Sequence, residues 1–142
     1  MEVERKMAQL YGLLADKFSP EKELFETLKT EEMVHMQTLS LVEPTDDYGS
    51  EDLGREARLL LRTLDAADSA ISKAQFSALD LEGALKAALS LEEGVVENFA
   101  TSLTSLGNLG NMEAIDRMTS ESTTHADMLR EALIRNGYMH QS

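Results

Sequence analysis

The chain contains no cysteine and no tryptophan, only two prolines in 142 residues, and aromatic side chains at 5% of positions. Without cysteine, disulfides, iron–sulfur clusters, cysteine zinc sites and thiol catalysis are excluded. Few aromatics argue against a sheet protein, whose strands draw on aromatic and β-branched residues. Long apolar runs are missing as well, and none approaches the roughly 20 residues needed to span a bilayer. The opening Met1-Glu2-Val3-Glu4-Arg5-Lys6 lacks the apolar core of a signal peptide, so no membrane partner and a cytoplasmic location are expected. Basic residues are also scarce, 13 Lys and Arg against 26 Asp and Glu, for a formal charge of −13. No basic face for nucleic acid is visible, whereas an acidic surface suits a soluble protein that attracts cations.

What remains is helix-forming. Hydrophobic residues make up 42% of the chain, enough for one folded domain with a real core. Ala, Leu, Met, Glu and Lys dominate the long segments, so helices are expected. The first runs from about Glu2 to Phe18, with Val3, Met7, Leu10, Tyr11, Leu14 and Phe18 at helical spacing. Ser19-Pro20 breaks it, with Ser19 as cap and Pro20 in the first turn of a second helix to about Val42. So short a connection makes the two antiparallel neighbours. Residues from Glu43 to Gly54 read as a loop, Arg55 to about Ser72 as a short helix, and Ser72 to Leu79 carries no clear pattern. A third helix is expected from the N-cap Asp80 to about Leu106. Gly107 to Asn111 is a breaker, and a fourth helix follows from about Met112 to Arg135, stopped by Asn136-Gly137. The expectation is an all-α fold over 1–137, two antiparallel hairpins joined by one long crossover (about 43–79), with 138–142 as a tail. That is the one-crossover topology of ferritin-like four-helix bundles.

Several inward positions hold the wrong chemistry for a core. The second helix's stripe reads Phe25, Leu28, Glu32, His35, Leu39. Residues seven apart on a helix fall within about 20° of each other, so Glu32 lies in line with Phe25 and Leu39, and His35 with Leu28 and Val42. A carboxylate and an imidazole three apart form the Glu-x-x-His unit of a metal site in a bundle. The first helix aligns Glu4, Tyr11 and Phe18; the third aligns Leu85, Glu92, Phe99 and Leu106. The fourth reads Ile115, Met118, Ser122, His125, Leu129, Ala132. Carboxylates are hard donors that can bridge two cations, and imidazole adds a neutral ligand suited to iron, manganese or zinc. Taken singly each group has a plain structural reading: a helix-dipole acid for Glu4, a stripe-edge acid for Glu32, a hydrogen-bonded boundary histidine for His35. The case for a metal is their coincidence on four helices.

These segments resemble the rubrerythrin branch of the ferritin-like superfamily. The carrying residues are Glu4 with Tyr11, Leu24-Phe25 through Glu31-Glu32-Met33-Val34-His35, and Ala84 to Ala88 leading to Leu91-Glu92 and Phe99. The resemblance implies a non-haem di-iron oxidoreductase of peroxidase or ferroxidase type. Glu4, Glu32, His35 and Glu92 would be ligands, and Tyr11 a phenol close to the metals. Two iron ions are the expected cofactor, with manganese or zinc as alternatives.

The chain departs from that pattern. Three residues before His125 stands Ser122, not Glu; Glu121 lies one position earlier, about 40° from His125 around a helix. Either Glu121 replaces the missing ligand beside His125, or the site has lost one carboxylate. Val95 stands three after Glu92, where peroxide-reducing members carry a further carboxylate. With no rubredoxin cysteines, electrons would come from a separate donor. A homodimer is expected. The competing reading is a non-catalytic bundle with a degenerate or single-metal site, acting as a structural or interaction protein.

Overall fold

A computed structural model describes residues 2–39, 50–105 and 109–140, with side chains for 3–34, 58, 61–96, 116–117 and 119–140. Over these residues the chain is all-helical. Helix α1 spans Glu2–Lys17, a 3-10 turn Ser19–Glu21 follows, and α2 spans Lys22–Leu39. Next come α3 (Ser50–Gln75), α4 (Leu81–Ser105) and α5 (Leu109–Arg135). No helix among the described residues is long and apolar enough to cross a membrane.

The helix boundaries follow local chemistry. Ser19 is not a side-chain cap; it opens the 3-10 turn, whose N-cap position is Phe18, and Pro20 occupies the first turn. Proline suits that place because its missing N–H would be unsatisfied anyway. Asp80 caps α4, its Oδ1 accepting from the Gly83 N–H at 2.7 Å, which satisfies one orphan donor of the first turn. Both α3 and α5 end in the same way. Tyr138 N–H bonds back to Leu133 O at 2.8 Å, Gly137 N–H to Ile134 O at 3.0 Å, and Gly137 has φ 78°. At α3, Ala78 N–H reaches Lys73 O at 2.7 Å and Ser77 N–H reaches Ala74 O at 3.2 Å, but the left-handed residue is Ser77, with φ 56°. Each is a Schellman stop.

The crossover departs most from the expected layout. Helix α3 has 26 residues, beginning at Ser50 inside the expected loop and running on to Gln75. Toward its end Ala67, Ala70, Ile71 and Ala74 are all buried, so packing carries the helix past Ser72. Residues 109–111, expected as breaker, form the first turn of α5. The stretches 40–49 and 106–108, with the expected end of the second helix at Val42, lie outside the described residues.

Helix α1 packs on α2 and α3, α4 packs on α3 and α5, and α2 meets α5. Helix α3 is thus wedged between α1 and α4 within the same chain. Gly94 on α4 faces Thr63 on α3: a Cβ there would lie 3.2 Å from Thr63 Oγ1. The core is largely aliphatic, with Met7, Leu10, Leu14, Leu28, Leu85, Leu129 and Leu133 fully buried beside the aromatic Phe25. Phe25 stacks on Tyr11 with ring centroids 6.3 Å apart. At one end Glu21, itself buried, accepts from Arg135 Nη2 at 2.8 Å and Asn136 Nδ2 at 3.0 Å. That pairing ties the start of α2 to the end of α5. Farther along the same two helices Glu31 faces His125, so α2 and α5 run antiparallel.

Candidate metal centre

The polar residues in apolar register meet between α2, α4 and α5. On α2 the buried stripe is Phe25, Leu28, Glu32; on α4 it is Leu85, Ala88, Glu92, Val95; on α5 it is Ser122, His125, Leu129, Ala132. Glu92 is 0% exposed, Glu32 1% and His125 2%. His125 Nδ1 lies 3.4 Å from Glu32 Oε1 and 3.4 Å from Glu92 Oε1. The three residues each offer a donor atom within 4.8 Å of the others, the one such group among the described residues. The Tyr11 hydroxyl, 0% exposed, donates to Glu92 Oε1 at 2.7 Å. Glu92 Oε2 and Ser122 Oγ are buried and accept no hydrogen bond.

The electrostatics express the same crowding. Burial pushes the Glu92 carboxyl up to about 7, against the pull of His125. Burial alone would lower the His125 imidazole, but the carboxylates of Glu32 and Glu92 outweigh it and raise it to about 10. The Tyr11 phenol is raised well above its ordinary value, first by burial and then by the same two carboxylates. A proton on His125 faces both buried acids.

That arrangement fits a cation. Donors held about 2.0–2.1 Å from a tetrahedral ion lie roughly 3.3–3.4 Å apart, which is the spacing of Nδ1 from each carboxylate. A proton on Nδ1 serves one acceptor well only at about 2.7–3.2 Å, so two equal contacts at 3.4 Å suit a shared central ion better than a hydrogen bond. The buried Glu92 Oε2 without a partner is a further hard oxygen such an ion can satisfy.

The other sequence candidates fall as follows. Glu4 is buried on α1, 3% exposed, outside the three-residue group. His35 stands on α2, and its side chain lies outside the described residues. Glu121, half-buried on α5, lines a cavity of about 200 Å³ together with Glu31, Val34, Thr124 and His125. One participant was missed: Glu31, whose carboxylate meets His125 Nε2. Its signal was faint, because position 31 follows seven after the half-buried Leu24 and so sits at the edge of the stripe.

No family model, characterised protein or solved structure matches this chain. Nothing in these comparisons bears on the ferritin-like expectation.

Proposed function

We propose that this chain is a ferritin-like, rubrerythrin-related bundle that holds iron at its centre. The observation that carries the reading is the convergence of Glu32, Glu92 and His125 in a dry core, with Nδ1 3.4 Å from both carboxylates. Leaving two carboxylates there without a cation costs several kcal/mol per buried ion. Glu32 and Glu92 would supply hard oxygen donors and His125 a neutral nitrogen. Tyr11 orients Glu92 by donating to Oε1. Glu4 and His35 are the proposed ligands of a second ion, with Glu121 as the replacement for the carboxylate absent at Ser122. Bound iron would supply redox chemistry toward peroxide, dioxygen or ferrous iron. With no cysteine in the chain, its electrons would come from a separate donor.

A second reading is favoured by a specific observation. Three donors converge among the described residues, and Ser122, buried beside them, brings a hydroxyl without a partner in place of an acid. That set suits a single ion in a structural role, zinc included. Metal content decides between the two. The unaltered protein and Glu32→Ala are purified from iron-supplemented cells and their metals measured by mass spectrometry. The di-iron reading expects about two iron ions per chain, mostly lost in the variant. One zinc per chain supports the structural site, and equal, near-zero metal in both proteins removes the metal altogether.

A further inference from the structure

An imidazole that binds a metal through one nitrogen must hold its proton on the other, and whatever accepts that proton fixes which nitrogen is which. At His125 the two nitrogens face different surroundings. Nδ1 points to the interior, 3.4 Å from Glu32 Oε1 and from Glu92 Oε1. Nε2 meets the carboxylate of Glu31, on the side where Glu31, Val34, Glu121 and Thr124 line the cavity between α2 and α5. Glu31 is 46% exposed at its side chain, whereas His125 is 2% exposed. The acid therefore reaches in from the rim and touches the ring at the nitrogen farther from the interior carboxylates.

Resting on the metal-binding reading above, we propose that Glu31 is the positioning residue of the centre: its carboxylate accepts the Nε2–H of His125, so that Nδ1 presents its lone pair to the ion between Glu32 and Glu92. Adjacent residues on one helix then do different work. Glu32 turns inward as a donor to the ion. Glu31, about 100° around the helix, sets the ring from outside. The contact also crosses from α2 to α5, so ring orientation is coupled to the seam between those helices. A carboxylate accepting from a metal-bound imidazole also raises the basicity of the ligand.

The test uses zinc as the probe, since it is diamagnetic and permits nuclear magnetic resonance. Zinc affinity is measured by competition for the full chain, Glu31→Ala and Glu31→Gln. The protonated nitrogen of His125 is read from histidine ¹⁵N shifts, assigned by the signal lost in His125→Asn. The unaltered protein is expected to bind zinc through Nδ1 with the proton on Nε2. E31A should weaken zinc about 10–100-fold, the usual consequence of removing such a partner. E31Q, whose amide oxygen still accepts from Nε2–H, should recover most of that loss. Position 31 is half exposed, so both variants should keep the helical circular-dichroism spectrum. Equal zinc affinity in E31A and the unaltered chain, or zinc carried on Nε2, overturns the role of Glu31 alone. No zinc bound by the unaltered chain overturns the metal reading and the role of Glu31 with it.

Discussion

At Glu92 three demands meet on one carboxylate. Burial favours its neutral form, His125 favours its charged form, and Tyr11 donates to Oε1 at 2.7 Å. The pH dependence of the ion-free protein follows. Glu92 titrates near 4.5 when unfolded and about 7 when folded; His125 titrates near 6.5 unfolded and about 10 folded. Both shifts are upward, so between their unfolded and folded values these two groups hold more protons in the folded state than in the unfolded chain. Their contribution to stability falls as pH rises through that window. In the presence of chelator, the unfolding midpoint should be highest near pH 5 and decline toward pH 10, with a shallower decline below pH 7 in Glu92→Gln. Superimposable pH profiles for the two proteins would contradict the assignment. Tyr11→Phe tests the same carboxylate from the other side. It keeps the ring that stacks on Phe25 but removes a buried hydrogen bond to the Glu92 carboxyl. Urea unfolding should lose about 1–3 kcal/mol, and a loss indistinguishable from zero would mean the phenol contributes only packing.

Residue identity also explains what was legible in the centre. Glu32, Glu92 and His125 could be found because each interrupts an apolar stripe, and Phe25, Leu28, Leu85 and Leu129 on those stripes are fully buried. A periodicity argument detects polar groups at core positions and nothing else. Glu31 escaped it because a long side chain can start at a boundary position and still reach the core. Whether Glu121 serves the ion was open for the same reason: it lines the outer cavity, and helical angle alone does not fix where a flexible carboxylate ends.

Elements were legible where a chemical stop signal coincides with a change of period. Asp80 and Gly137 carry such signals, and α4 and α5 begin and end beside them. Helix α3 carries none at its end. Its left-handed position falls on Ser77, a residue that does not announce a helix end, and burial of Ala70, Ile71 and Ala74 carries the helix that far. A serine there bears a backbone cost of about 1 kcal/mol that glycine avoids. Its hydroxyl accepts from Lys17 Nζ at 2.8 Å, an exposed contact of small value. Ser77→Gly should therefore raise the thermal midpoint by about 2–4 °C. An unchanged or lowered midpoint would show that the Lys17 contact outweighs the relief of the backbone. The opposite misjudgement occurred at Gly110 and Asn111, poor helix formers that nonetheless lie within α5, since propensity is a weak prior against context.

For the whole molecule, the all-helical character followed from composition, but the place of the crossover did not. Burial of Ala67, Ala70 and Ala74 shows why. Small side chains give α3 a buried face without naming the helices that cover it, and they allow close packing between α1 and α4, as at Gly94 against Thr63. The three-residue group draws one member each from α2, α4 and α5, so an ion there ties α2 to two helices distant from it in sequence. Occupancy should stabilise the fold as a whole: zinc at a hundredfold excess over its Kd contributes about 2.7 kcal/mol, or roughly 5–10 °C in midpoint. The gain should disappear on chelation and be absent in Glu32→Ala, as differential scanning calorimetry can establish; an equal gain in that variant would place the ion elsewhere.

The most direct test of the account is an anomalous-difference map from crystals of the metal-loaded protein. A peak is expected about 2.0–2.2 Å from Glu32 Oε1, Glu92 Oε1 and His125 Nδ1. Anomalous signal confined to surface acids, with His125 still bridging the two buried carboxylates and no density between them, would contradict it.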